Sequence, residues 1–180
     1  MFAPSDERLV ERALENNKQA WLQLVKRYEG LVYNYGLRML GQREDAQDLL
    51  QDVFLSVFRN LASWRAEASF KTWLLTIAHH RCIEVYRRRR EHIDIDSVDH
   101  QASDQDWHHP DRVYQGQQRA KQLVTALQQL PIEQRQVVEL KFFQHLPLAE
   151  IAAQLHVPLS TVKSRLYSAV EKLQHYLETA

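Results

Sequence analysis

Apolar residues along this chain recur at intervals of three and four, the spacing of a helix that buries one stripe. Leu9, Val10, Ala13 and Leu14 form the first such stripe, with Pro4 and Ser5 before it and Asp6 and Glu7 in its first turn. That order predicts a helix start: Ser5 caps open N–H groups and the two acids match the positive end of the dipole. A longer run of Trp21, Leu22, Val25, Tyr28, Leu31, Val32, Tyr35 and Leu40 predicts a second helix that stops at Gly41. A third follows from Ala46, Leu49, Leu50, Val53, Phe54, Val57 and Leu61, with Asp45, Asp48, Gln51 and Asp52 on its other side. The pattern breaks over "ASWRAEAS", which predicts a loop, and resumes after Ser69 in "FKTWLLTIAHHRCIEVYRRRR".

From Glu91 to about Gln118 no period survives, and Asp, His, Ser and Gln dominate. Such a stretch predicts a flexible acidic linker. The last third predicts four short helices: "RAKQLVTALQQL", "PIEQRQVVELKFF" with Pro131 in its first turn, "PLAEIAAQL", and "LSTVKSRLYSAVEKLQHYL". The whole reads as all-α: two small helical domains, residues 1–90 and 119–180, joined by an acidic linker at 91–118.

Composition narrows the class. The chain has 180 residues, few glycines (4) and prolines (5), and one cysteine, Cys82, so no internal disulfide forms. The opening residues lack the apolar core of a secretory signal, and no apolar run reaches membrane-spanning length. The expectation is a cytoplasmic protein with no membrane insertion and no cofactor.

Charge changes the picture more. The formal net charge is zero, yet residues 1–90 sum to +4, residues 91–118 to −6 and residues 119–180 to +2. Two basic segments flank an acidic one. Solvated charge blocks of this kind carry no function by themselves, so the question passes to particular residues.

The strongest local signal is "LAEIAAQLHVPLSTVKSRLYSA". Ile151, Ala152, Leu155, Val157, Val162 and Leu166 are spaced to pack two short helices across a tight turn, a helix-turn-helix pattern. Its second helix offers Ser160, Thr161, Lys163, Ser164 and Arg165 near the end that such motifs push into a major groove. The plain alternative is a helical hairpin with those residues merely solvated. The turn carries His156 where Gly is common, and His tolerates left-handed backbone.

A second signal interleaves Trp64, Phe70, Trp73 and Tyr86 with Arg65, Lys71, Arg81 and Arg87 to Arg90. Cations track phosphates and exposed rings stack on unpaired bases. Trp73 falls on the apolar stripe and is better read as core, and the arginine run also suits the negative end of a helix dipole. His79, His80 and Cys82 raise a metal question, but the three do not share one helix face and zinc needs about four ligands. No nucleophile–base set or Gly-rich phosphate loop stands out.

These stretches, in this order, resemble a bacterial RNA polymerase sigma factor of the extracytoplasmic-function group. "REDAQDLLQDVFLSVFRNL" is similar to the family helix that binds the β′ clamp, "FKTWLLTIAHHRCIEVYRRRR" to the promoter-melting helix, and the segment from Leu130 to Leu173 to the −35-reading domain. The resemblance implies a non-enzymatic factor that binds core polymerase at the β′ clamp and β flap, binds promoter DNA, and is held in check by an anti-sigma protein. It implies polymerase contacts at Asp45, Asp48, Leu49, Gln51, Asp52 and Phe54. It implies −10 capture at Ser63, Trp64, Arg65, Lys71, Arg81, Tyr86, Arg87 and Arg88, with the Ser63–Ser69 loop as a pocket for an extruded base. The −35 contacts would be Ser160, Thr161, Lys163, Ser164 and Arg165. The acidic Asp94, Asp96 and Asp99 would occupy basic walls in the polymerase until RNA displaces them. A stand-alone regulator that uses only the C-terminal motif is the alternative from the residues, and a metal-binding protein or enzyme at His79, His80 and Cys82 is a remoter one.

Overall fold

A computed structural model describes residues 3–93 and 113–179. Its regular elements among those residues are helices, divided between two compact units that part at His100 and Gln101. Asp94, Asp96, Asp99 and Trp107 lie outside the described residues.

The N-terminal unit holds α1 (Asp6–Leu14), α2 (Lys18–Leu40), α3 (Arg43–Asn60) and α4 (Phe70–Ile93), with a 3-10 turn at Leu61–Ser63. Its boundaries follow local chemistry. The Ser5 hydroxyl accepts from the Arg8 N–H, and Asn17 caps α2 through the Ala20 N–H. Gly41 ends α2 at φ 82°, a left-handed conformation that costs glycine nothing. Ser69 caps α4 by accepting the Thr72 N–H at 3.1 Å. All three predicted ends at Ser5, Gly41 and Ser69 stand where the sequence put them.

Packing then fixes the arrangement. Gly36 on α2 lets α3 come close: a Cβ there would lie 3.0 Å from a Leu49 methyl and 3.1 Å from the Ala46 backbone. Leu24, Val32, Tyr35 and Met39 of α2 meet Ala46, Leu49, Val53 and Val57 of α3 and Leu74, Ala78 and Cys82 of α4 in one core, all buried. The short α1 is tied to α2 by Asp6, whose carboxylate accepts from Arg27 and from the Tyr28 hydroxyl, each at 2.5 Å. Burial, reinforced by that carboxylate, pushes the Tyr28 phenol above its ordinary range.

The C-terminal unit holds α5 (Val113–Gln128), α6 (Ile132–Val138), a π-helical turn at Glu139–Phe143, α7 (Leu148–Leu155) and α8 (Leu159–Thr179). One difference from the sequence reading is that α4 runs three residues past Arg90 and α5 starts at Val113, so the linker expected at 91–118 loses both its ends to helix. Gly116 lies inside α5, where one glycine weakens a helix by only about 1 kcal/mol. Pro131 is the N-cap of α6, just outside the first turn. Val137, Leu140, Ile151, Ala152 and Val162 pack one cluster across α6, α7 and α8, and Leu127, Leu130, Val138 and Ala169 pack a second against α5.

Buried Arg135 joins α6 to α5. Its guanidinium donates to the Gln128 side chain at 2.7 Å and to the main-chain carbonyls of Gln128 and Leu130 at 3.1 and 2.9 Å. The Gln128 carbonyl is among the acceptors a helix leaves open at its C-terminal end, and Leu130 lies in the turn just past it.

Candidate nucleic-acid interface

In the C-terminal unit α7 and α8 meet at a turn of three residues. His156 adopts φ 54° and ψ 42°, and the Val157 N–H returns to the Ala152 carbonyl at 3.1 Å. The imidazole therefore sits at a left-handed position, as expected, and Ala152 keeps the crossing tight. Ser160, Lys163 and Ser164 project from the first turns of α8 into solvent, while Thr161 and Arg165 are half-buried. Tyr167, one turn beyond Ser164 and two beyond Ser160 on the same face, is 73% exposed. The sequence reading missed it. A large ring on a helix already bearing Val162, Leu166 and Ala169 on its inner face has no core left to enter.

In the N-terminal unit the loop after the 3-10 turn is closed on itself. The Trp64 indole N–H donates to the Ala68 carbonyl at 3.1 Å, and Ala66 takes φ 56° at the bend. Trp64 lies edge-on to buried Phe70, centroids 5.5 Å apart, and Phe70 in turn touches Tyr28 and Trp73. Trp64 and Trp73 are both half-buried, so the rings hold the loop against α4. Ser63, Arg65 and Lys71 are exposed around it, with the Ser63 hydroxyl bonded to the Asn60 carbonyl.

Along α4 the arginines divide. Arg87, Arg88 and Arg90 are exposed. Arg89 turns inward: it pairs with Asp45, and reaches the Gln42 side chain at 3.3 Å and the Leu40 carbonyl at 3.4 Å. It fastens the end of α4 to the α2–α3 junction. Arg81 donates to Glu84 at 3.0 Å and approaches the Ser56 hydroxyl at 3.4 Å. Tyr86 is half-buried.

The residues expected to contact polymerase on α3 do not share one surface. Asp48, Gln51 and Asp52 are exposed, but Leu49 and Phe54 are buried, and Asp45 is committed to Arg89. Burial raises the Asp45 carboxyl pKa more than Arg89 lowers it. Leu49 packs on Gly36 and Phe54 lies 6.1 Å from the Trp21 ring, so both belong to the core beneath the face. What completes the outer stripe is Leu55 and Phe58, 54% and 62% exposed. Spaced at helical intervals from Asp48 and Gln51, they could have been found by continuing that polar stripe one more turn.

His79 is buried, 3.3 Å from the Tyr35 hydroxyl through Nδ1, whereas His80 is exposed. Burial, with a smaller contribution from His80, lowers the His79 pKa to about 4. At neutral pH the ring is an uncharged core group. Cys82 is buried beside it on the same helix. Among the described residues no helix is long and apolar enough to cross a membrane.

Residues 24–92 match the family Sigma-70 region 2, and residues 120–173 match Sigma-70, region 4. The RNA polymerase sigma factor YlaC of Bacillus subtilis is 33% identical over 148 residues, covering 81% of this chain and 85% of that protein. The ECF RNA polymerase sigma factor SigE of Mycolicibacterium smegmatis is 31% identical over 159 residues; they make up 88% of this chain but only 62% of that longer protein. The solved structure of the sigma factor RpoE with the anti-sigma factor NepR from Bartonella quintana shares the fold, with a TM-score of 0.69 at 24% identity over 91% of this chain and 98% of that one. The chain belongs to the extracytoplasmic-function group of RNA polymerase sigma factors.

Proposed function

We propose that this protein binds core RNA polymerase and directs it to particular promoters, using α8 on the −35 box and the α4 face with its loop on the melted −10 strand. The observation that carries the reading is the pairing of a closed, aromatic-braced loop with exposed cations on the helix that follows it, in one unit, and a second unit built around the α7–α8 turn. Exposed Arg65, Lys71, Arg87 and Arg88 supply phosphate attraction, and Arg81 and Tyr86 lie between them on α4. Trp64 acts by shaping the loop from Ser63 to Ser69. Extruding a base into such a loop costs a few kcal/mol, offset by pocket contacts.

On the duplex side, Ser160, Thr161, Lys163, Ser164 and Arg165 face the major groove, joined by Tyr167. Hydroxyls and cations there read base edges and phosphates. The polymerase face is Asp48, Gln51 and Asp52 with Leu55 and Phe58; Leu49, Phe54 and Asp45 hold α3 in place beneath it. An anti-sigma protein is the expected regulator, and the chain acts as an initiation factor and supplies no catalysis of its own.

Transcription reconstituted from purified core polymerase and genomic fragments tests this directly. Discrete new start sites that depend on the protein are the expected result. No new starts, with tight duplex binding by the protein alone, would replace it with a stand-alone regulator.

A further inference from the structure

Three charged residues lie along one stripe of α4 at helical spacing: Arg81, Glu84 and Arg88. One oxygen of Glu84, Oε2, accepts from Arg81 at 3.0 Å and lies 3.9 Å from the Arg88 guanidinium. All three side chains are open to solvent, Arg88 most of all at 69%. A surface ion pair of this kind stabilises a helix little. Its larger effect is on whatever approaches the face. A strand phosphate that reaches Arg81 or Arg88 meets a carboxylate already there, and must displace it.

We infer that Glu84 is a built-in competitor for DNA phosphate, which holds down the sequence-independent affinity of the α4 face so that contacts to bases decide which strand is kept. This rests on the reading of α4 as the −10 face. Two features of the geometry support it. Glu84 shares one oxygen between two cations that are seven residues apart, so losing it frees both at once. Arg81 keeps a second partner at the Ser56 hydroxyl, so its guanidinium stays in place for a phosphate once the carboxylate leaves. Arg89, by contrast, spends its charge on Asp45 and adds nothing to the face.

The test uses the full chain assembled with core polymerase, core alone as baseline, and a fluorescein-labelled single strand of mixed sequence as probe. Glu84→Gln should bind the strand about threefold more tightly at low salt, and its log affinity should fall more steeply with log salt by about 0.7, the increment for one added phosphate contact. Glu84→Asp, which keeps the charge, should stay near the parent. A promoter strand should gain by about the same factor as the mixed strand, because the freed contact is to phosphate and carries no sequence information. Glu29→Gln, at an exposed position of α2, removes an equal charge elsewhere and should change neither quantity. Equal affinity and equal slope for Glu84→Gln and the parent, or a shift matched by Glu29→Gln, would overturn the inference. Failure of the underlying reading looks different: neither Arg87→Ala nor Arg88→Ala would then weaken strand binding. If Arg88→Ala weakens it while Glu84→Gln changes nothing, the face stands and the competitor falls. In an Arg88→Ala background the gain from Glu84→Gln should shrink, because one of the two cations it frees is gone.

Discussion

The two units bury polar side chains by opposite means. In the C-terminal unit the buried basic group is a charged Arg135, held by three hydrogen bonds at and just past the end of α5, with the Glu139 carboxyl buried in the same unit. In the N-terminal unit it is a neutral His79 against Tyr35. A guanidinium cannot shed its proton, so its burial needs fixed acceptors and adds no pH dependence of its own. An imidazole survives burial by going uncharged, so that interior depends on pH. The units also differ optically. Three of the four tryptophans, Trp21, Trp64 and Trp73, belong to the N-terminal unit, so with Trp107→Phe as the common background tryptophan fluorescence follows that unit, while far-UV circular dichroism sees both.

The largest expected effect breaks the first side of that comparison. Arg135→Met strands buried acceptors that Arg135 now satisfies, each at a cost of about 1–3 kcal/mol before relaxation. A loss of about 3 kcal/mol from the C-terminal unit is expected, with loss of −35 duplex binding. Denaturation should show an early dichroism transition while the fluorescence transition stays put. Coincident shifts in both would mean the units do not unfold independently.

Next comes acid. The folded-state pKa of His79 is depressed to about 4 from an ordinary 6.5. Between those values the unfolded chain takes up a proton that the folded unit refuses. Stability from this group is therefore complete above about pH 6.5 and falls as pH drops towards 4, by roughly 3 kcal/mol in all. His79→Gln cannot titrate. The difference between parent and His79→Gln melts, read by tryptophan fluorescence, should slope through that window and flatten below it. A constant difference would show that His79 does not carry the acid sensitivity.

These contrasts also mark what the chain's pattern could and could not disclose. Helix ends were legible because caps are local: Ser5, Gly41 and Ser69 act within a few residues of themselves. The α7–α8 turn was legible for the same reason, since Ala152, His156 and Val162 settle it among themselves. Which of two apolar stripes on α3 faces inward was not. Leu49 and Phe54 could have formed an outer contact surface as readily as Leu55 and Phe58, until α2 brings Gly36 and Trp21 against one side. Four adjacent arginines are likewise identical in sequence. Only a rotation of about 100° per residue, set against a neighbouring helix, makes Arg89 a tie and Arg87 a surface cation.

That division gives the third prediction, within the N-terminal unit. Arg89→Ala removes the tie to Asp45, Gln42 and Leu40 and leaves a half-buried carboxylate behind. A stability loss of about 1–2 kcal/mol is expected, visible in fluorescence melts. Arg87→Ala should change stability by less than about 0.5 kcal/mol, yet flatten the salt dependence of single-strand binding by about 0.7. Swapped outcomes would mean that the inward arginine has been misidentified.

The smallest effect returns to the C-terminal unit and to a residue chosen against its backbone. His156 holds φ 54° at the end of α7. Non-glycine residues pay for that region through contact between Cβ and the carbonyl, and glycine does not. Glycine also widens the unfolded ensemble, which works the other way. The first effect should win at a left-handed helix end, where glycine is the usual solution. His156→Gly should therefore stabilise the C-terminal unit by a few tenths to about 1 kcal/mol. His156→Val, a branched side chain at positive φ, should destabilise it by more than that. If His156→Gly instead weakened −35 duplex binding without lowering stability, the exposed imidazole would be contacting DNA at the turn, and the choice of histidine would be explained by its ring and not by its tolerance of the backbone.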